Sequence, residues 1–252
     1  MKKFITTLQN IWKIKELRNR ILFTLGLLLI YRIGSFVVLP GVMPSALENA
    51  NSEGASDILG LINVFTGGAF NNASVFALGI MPYITASIIV QLLGFAVPYF
   101  QRLQQREGES GRKKLSQITR LLTLAITLVQ GGGYLAYIKS QGAVSPIMPD
   151  SVFWLANIII LSMGTIFAMW LGERITDRGV GNGIYLLITI GIIATLPSAL
   201  IYEFQAQLQG GRLLVFLLEM AILFVVVMAT NMVVQEVRRI PIQFAKRMAF
   251  DL

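Results

Sequence analysis

Residues Asp57 to Leu93 read DILGLINVFTGGAFNNASVFALGIMPYITASIIVQLL. A short apolar piece, Ile58 to Phe65, stops at Thr66-Gly67-Gly68. A polar turn, Asn71-Asn72, follows, and then a long apolar run carrying Gly79 and Pro82. At 1.5 Å per residue the first piece covers roughly 12 Å, far short of the roughly 30 Å hydrocarbon core of a bilayer. The second run is long enough to span. The stretch therefore reads as a half-inserted helix followed by a full one. Irregular backbone at membrane depth survives only inside protein or beside a water-filled cavity. That places a pore or a substrate site near this stretch.

The rest of the composition agrees with a membrane setting. The 252 residues are 55% hydrophobic and 13% charged, with a mean hydropathy of +0.68. A soluble domain carries about 25% charged residues. Six apolar segments approach or reach spanning length: about Ile21 to Leu39, Ala73 to Val97, Leu115 to Ile138, Val152 to Leu171, Gly183 to Ile201 and Leu213 to Val234. Arg32, in the outer half of the first, is expected to reach toward the interface.

A net charge of +8 would suggest nucleic acid in a soluble protein. Here the cations fall in alternate loops. The N-terminus holds Lys2, Lys3, Lys13, Lys15, Arg18 and Arg20. The next loop has no Lys or Arg but carries Glu48, Glu53 and Asp57. Arg102, Arg106, Arg112, Lys113 and Lys114 follow the second segment, and Lys139 stands alone after the third. Arg174 and Arg178 follow the fourth, Arg212 the fifth, and Arg238, Arg239, Lys246 and Arg247 the sixth. Positive loops face the cytoplasm, so the N-terminus, the even loops and the tail are expected there. Residues 1–20 lack a small-residue cleavage pattern and read as a retained cytosolic N-terminus.

No residue is Cys or His, which excludes a disulfide framework, Cys- or His-based metal sites and a His-dependent triad. Glu219 lies about two turns into the last segment and reads either as a proton or cation site or as an acid near the outer interface. Asn157, Gln91, Gln130 and Asn231 suit interhelical hydrogen bonds. Gly179-Val180-Gly181-Asn182-Gly183 lacks the preceding strand and the Lys-Ser/Thr pair of a phosphate loop, and reads as a tight turn with close helix approach. Ile80 and Ile84, and again Ile184 and Ile188, stand at i,i+4 and share a helix face. Spacing alone allows either ordinary lipid-phase isoleucines or an apolar constriction. The basic loop Gln101 to Lys114 reads either as a solvated topology signal or as a docking surface for a cytosolic partner or RNA phosphates.

Four motifs carry a family resemblance: Arg32-Ile33-Gly34-Ser35-Phe36, Phe76 through Ile84 (FALGIMPYI), Glu107 through Arg112 (EGESGR), and Trp170-Leu171-Gly172-Glu173 with Arg178 through Gly183 (RGVGNG). In this order they resemble the SecY family, whose members are the central subunits of protein-conducting channels. The resemblance implies an all-α membrane fold of ten spans in two inverted halves, with an hourglass pore between them. This sequence would carry six of the ten. Residues 21–201 would be the N-terminal half, with a plug over about 57–72. Residues 202–252 would hold the sixth span and the start of a cytosolic loop, the remaining C-terminal half being absent.

By the same resemblance Ile80, Ile84, Ile184 and Ile188 supply part of an apolar pore ring. The plug uses Ile58, Leu61, Ile62, Val64 and Phe65, with Gly67 and Gly68 as its hinge. Arg102, Arg106, Arg112, Lys113, Lys114, Arg238, Arg239, Lys246 and Arg247 fall in loops that dock the ribosome or the SecA ATPase. SecE and SecG are implied as partners, signal sequences and nascent or secretory polypeptides as substrates, and the plasma membrane as the location, with a lateral gate opening to lipid. No cofactor and no covalent chemistry are implied. An ion-coupled secondary transporter is the alternative. It requires a convergent polar site where the sequence has isoleucines. An intramembrane hydrolase would require a mid-span Lys or paired acids, which the sequence lacks.

Overall fold

The computed structural model describes residues 13–44, 47, 57–105, 108–210 and 212–235. Among them eight helices follow in order: α1 (Lys15–Gly34), α2 (Asp57–Phe65), α3 (Met81–Ala96), α4 (Pro98–Gln105), α5 (Gly108–Ser140), α6 (Asp150–Arg178), α7 (Gly183–Gln209) and α8 (Leu213–Gln235). The chain divides into two compact units, residues 1–196 and 197–252.

Among the described residues four helices are long and apolar enough to cross a bilayer: Gly108–Ser140, Asp150–Arg178, Gly183–Leu208 and Leu213–Val234. They match the last four expected segments. The first two segments differ. The helical part of the first ends at Gly34, because Ser35 turns back and gives both its N–H and its hydroxyl to the Tyr31 carbonyl, at 3.1 and 3.0 Å. Residues 37–39 beyond it are not helical. With Lys15, Glu16, Arg18, Arg20 and Arg32 in its 20 residues, α1 falls short of an apolar span by its charges.

The second segment was expected to be helical from Ala73, but helix begins only at Met81. Ala73 and Gly79 both have positive φ, 45° and 54°, so a continuous helix cannot run through them. Pro82 then falls in the first turn of α3, where its missing N–H costs nothing. The sixteen residues of α3 reach only about 24 Å. At its other end Val97 is extended, φ −113° and ψ 122°, because the ring of Pro98 disfavours helical backbone before it. α4 therefore leaves at 100° to α3, and the two make a fifth span candidate only as one bent element. The basic loop is also corrected: among its described residues, Gln101–Gln105 are the end of α4 and Gly108–Lys114 the start of α5.

Among the described residues, several non-helical segments bond to one another through their backbones, as lipid favours. Residues 37–43 form a tie between two other segments. Val75 donates to the Val37 carbonyl (2.9 Å) and Leu39 to Ala73 (2.8 Å). Met43 donates to Ala143 and Ser145 to Gly41, both at 2.9 Å. Isolated antiparallel bridges mark the same tie, Val38 with Ser74 and Val42 with Val144. Below it lies one apolar core, with Leu39, Phe70, Leu135, Phe153 and Leu161 buried. A second core joins Leu28, Tyr31, Phe76, Leu171, Ile175 and Leu187 of α1, α6, α7 and the turn before α3. Both lie in the first unit. In the second, Phe204 and Phe216 meet edge to face at 5.4 Å, and α8 has no buried side chain among the described residues.

A candidate constriction and its plug

The four isoleucines come from two helix starts. Ile80 is the residue before α3, and its carbonyl accepts the N–H groups of Tyr83 and Ile84, both at 3.1 Å. Ile184 lies in the first turn of α7, which Asn182 caps: its Oδ1 accepts from the Ile184 N–H at 3.0 Å. Two N–H groups of the glycine-rich turn before α7 bond to neighbouring helices. Val180 donates to the Thr24 hydroxyl (3.1 Å) and Gly183 to the Thr176 hydroxyl (2.9 Å). It is a junction between α1, α6 and α7, as a close-approach turn should be.

The two helix starts converge at Gly172 of α6. A methyl group placed there would lie 3.1 Å from Ile184 Cγ1 and 3.5 Å from Ile80 Cδ1. A glycine here lets both isoleucines close tightly over this helix. Ile80, Ile84, Ile184 and Ile188 all belong to the second apolar core. Their exposure divides them. Ile80 is 5% exposed and sits inside the packing. Ile84, Ile184 and Ile188 are half-buried and form one wall of a cleft of about 380 Å³. Ser87, Gln91 and Asn182 supply its polar part. The arrangement is an apolar neck with uncharged polar groups beside it. It offers nothing that would hold an ion or a polar solute tightly.

Beside the neck, Arg120 of α5 grips Glu173 of α6 with two hydrogen bonds, Nη2 to Oε2 at 2.8 Å and Nε to Oε1 at 3.2 Å. The Arg120 side chain is half exposed, so solvent screens the pair. Glu173→Gln is expected to lower unfolding free energy by less than about 1 kcal/mol in a denaturant titration.

α2 is the expected plug helix, and it includes Ile58. Ile62 and Leu59 pack against the first core, while Leu61, Val64 and Phe65 are exposed at 57%, 42% and 38%. The two glycines close the helix. Gly68 donates to the Asn63 carbonyl (2.9 Å) and Gly67 to Val64 (3.1 Å), with Gly67 at φ +65°. This is a Schellman termination, which favours glycine at the left-handed position. The buried Thr66 hydroxyl donates toward the Ile62 and Asn63 carbonyls and accepts from the Phe70 N–H. The Gly67 carbonyl accepts a 2.8 Å hydrogen bond from Arg32 Nη1. Arg32 thus turns inward to the turn after α2 rather than only toward the interface, with its guanidinium 5.4 Å from the Phe36 ring centre. Sequence reading missed this role; the one signal for it was an arginine within an apolar segment.

Among the expected docking cations, Arg102 is exposed on α4, and Arg112, Lys113 and Lys114 are exposed on the first turns of α5. Lys113 pairs with Glu109 at 3.2 Å. Arg106, Arg238, Arg239, Lys246 and Arg247 lie outside the described residues, as do Lys2, Lys3, Glu48, Glu53 and Glu107. Glu219 is exposed on α8. Gln91 donates to the Ser87 hydroxyl at 3.4 Å, and Gln130 lines a second, apolar cleft between α2 and α5. Asn157 is fully buried and donates to the Pro40 and Phe153 carbonyls at 3.2 and 2.9 Å, so it ties α6 to the loop after α1.

Relatives place this geometry. The chain is 44% identical to the protein translocase subunit SecY of Streptomyces scabiei over 97% of its own length and 58% of that protein. It is 42% identical to the protein of the same name from Escherichia coli K12, over 92% of its own length and 53% of that protein. It therefore spans little more than half the length of these curated relatives. Its fold is similar to that of Sec61 in the canine ribosome-channel complex from the endoplasmic reticulum, with a TM-score of 0.54, 21% identity and coverage of 77% of this chain and 42% of that one. A structure described as that of a protein conducting channel matches with a TM-score of 0.53 and 22% identity, over 77% of this chain and 41% of that one. The SecY family profile matches residues 74–251. With that profile over most of its length, the chain is a multi-pass membrane protein that belongs to the SecY family.

Proposed function

We propose that this chain supplies the N-terminal half, residues 21–201, of a protein-conducting channel that moves secretory proteins across the plasma membrane and inserts membrane proteins into it. The observation that carries the reading is the convergence of Ile80 and Ile184 over Gly172, with Ile84 and Ile188 beside them on one cleft. An apolar neck passes side chains of any kind because it binds none of them well, and it resists ions because water leaves it readily. α2 is the plug of that neck. Ile84, Ile184 and Ile188, and no charged side chain, line the cleft at the starts of α3 and α7, so the transporter alternative has no support. The chain is a conduit and not an enzyme; energy comes from SecA or from a translating ribosome, and SecE and SecG complete the complex. Exposed Arg102, Arg112, Lys113 and Lys114 are the described part of the cytosolic docking surface. The charge alternation supports a cytoplasmic N-terminus.

The absence of cysteine gives a direct test. A single cysteine is placed at Ile84 in the complete translocon, and a secretory substrate with one cysteine is stalled in transit. A disulfide-linked product is expected from Ile84 and none from Leu155, which is 70% exposed on α6. Absence of the product at both Ile84 and Ile188, with transport demonstrated, overturns the assignment of the neck.

A further inference from the structure

We infer that Arg32 is the latch that holds the plug helix shut, and that α7 couples the latch to the neck. The inference rests on the channel reading. α2 ends with no basic residue in its last turn, so no cation of its own faces its C-terminal end. Arg32 supplies one from α1, at 2.8 Å from the Gly67 carbonyl. Among the described residues no carboxylate pairs with Arg32. An arginine in an apolar helix is costly to place, and such residues normally serve a specific partner. Here that partner is the main chain of the plug turn.

The turn is held from two sides. A methyl group on Gly67 would lie 2.8 Å from Arg32 Nη1 and 2.8 Å from Gly191 Cα of α7. One on Gly191 would lie 3.0 Å from the Phe65 carbonyl. Arg32 supplies a charge-assisted bond, while Gly191 supplies a smooth backing with no side chain to catch on. Gly191 follows the neck residue Ile188 by three positions, so both lie on one face of α7. A polypeptide that pushes Ile188 outward carries Gly191 away from the turn. The Arg32 bond then stands alone, and the plug releases.

The test uses the complete translocon with a nitroxide on a single cysteine at Leu61, an exposed plug position, and ion conductance recorded without substrate. Arg32→Gln is expected to raise the mobile fraction of the label and the resting conductance about tenfold or more, the scale of one lost charge-assisted bond. Arg32→Lys, which retains a cationic donor, is expected to restore most of the wild-type behaviour. A label at Leu155 on α6 should stay unchanged in every variant that folds. Unchanged mobility at Leu61 in Arg32→Gln overturns the latch and leaves the channel reading intact. If Arg32→Gln does not assemble, Arg32→Lys decides: the lysine is shorter and meets the Gly67 carbonyl less closely, so mobility at Leu61 should rise slightly, and no rise overturns the latch. Raised mobility with wild-type conductance leaves the latch standing and overturns the reading of α2 as the seal.

Discussion

Replacing Ile84 and Ile184 together by asparagine is expected to raise the substrate-free ion conductance of the complete translocon at least about tenfold. The two residues are half-buried at the wall of the same cleft. Burying an isoleucine side chain is worth about 1.5–3 kcal/mol, and a comparable amount separates a dry apolar neck from a wetted one. About 1.4 kcal/mol corresponds to a factor of ten, so even one lost isoleucine has a visible effect. Asparagine also extends the polar wall of Ser87, Gln91 and Asn182 into the neck, giving water a continuous set of partners. Ile80 is the discriminating control. At 5% exposure it packs inside the core, so Ile80→Asn places an amide without partners in apolar surroundings. It should lower the yield of folded complex by a cost of about 1–3 kcal/mol more than it raises conductance. A double variant that conducts like the wild type in a planar bilayer would remove the constriction from these helices.

The helices α5 to α8 were legible because apolar runs of about twenty residues leave one solution in a bilayer, a helix with every backbone group paired inside it. The stretch from Thr66 to Ile80 was not. Its composition is that of a membrane helix, and hydropathy cannot tell an apolar helix from an apolar chain bonded to its neighbours, as Val75 is to Val37. The signals that mark it are local: Gly79, and Pro82 three residues on, which fits a helix start better than a helix interior. Likewise Pro98 signalled the end of α3, but not that the chain continues as α4 at 100°. The basic segment looked like a loop because its charge reports topology and says nothing of helix content. Of the site, spacing gave the isoleucine pairs a shared face and nothing more; their role came from resemblance. Ile80 and Ile184, which meet over Gly172, stand more than a hundred positions apart, and Arg32 and Gly67 stand 35 apart, so both contacts are made by packing that no single stretch encodes.

Gly164→Ala is expected to destabilise the first unit by about 3 kcal/mol or more, far beyond the usual cost of a surface substitution. A methyl group at this position of α6 would overlap the Val75 carbonyl oxygen and lie 3.0 Å from Val75 Cγ1. Overpacking commonly costs about 1–3 kcal/mol when side chains can shift aside. Here the obstacle is main chain, and that main chain is fixed by the Val75 N–H to the Val37 carbonyl. Relief would require moving the tie of residues 37–43 as well. Gly132→Ala on α5 is the paired comparison, since nothing lies within 4 Å of its added methyl. There alanine should stabilise the helix by up to about 1 kcal/mol through propensity alone. Opposite signs in detergent unfolding curves are the expected result, and equal midpoints would mean that α6 does not rest on Val75. Function should follow the same division. Val75 lies in the turn that delivers Ile80 and Ile84 to the neck, so displacing it moves the constriction. The Gly164 variant that survives folding should therefore leak ions as well, whereas the Gly132 variant should not.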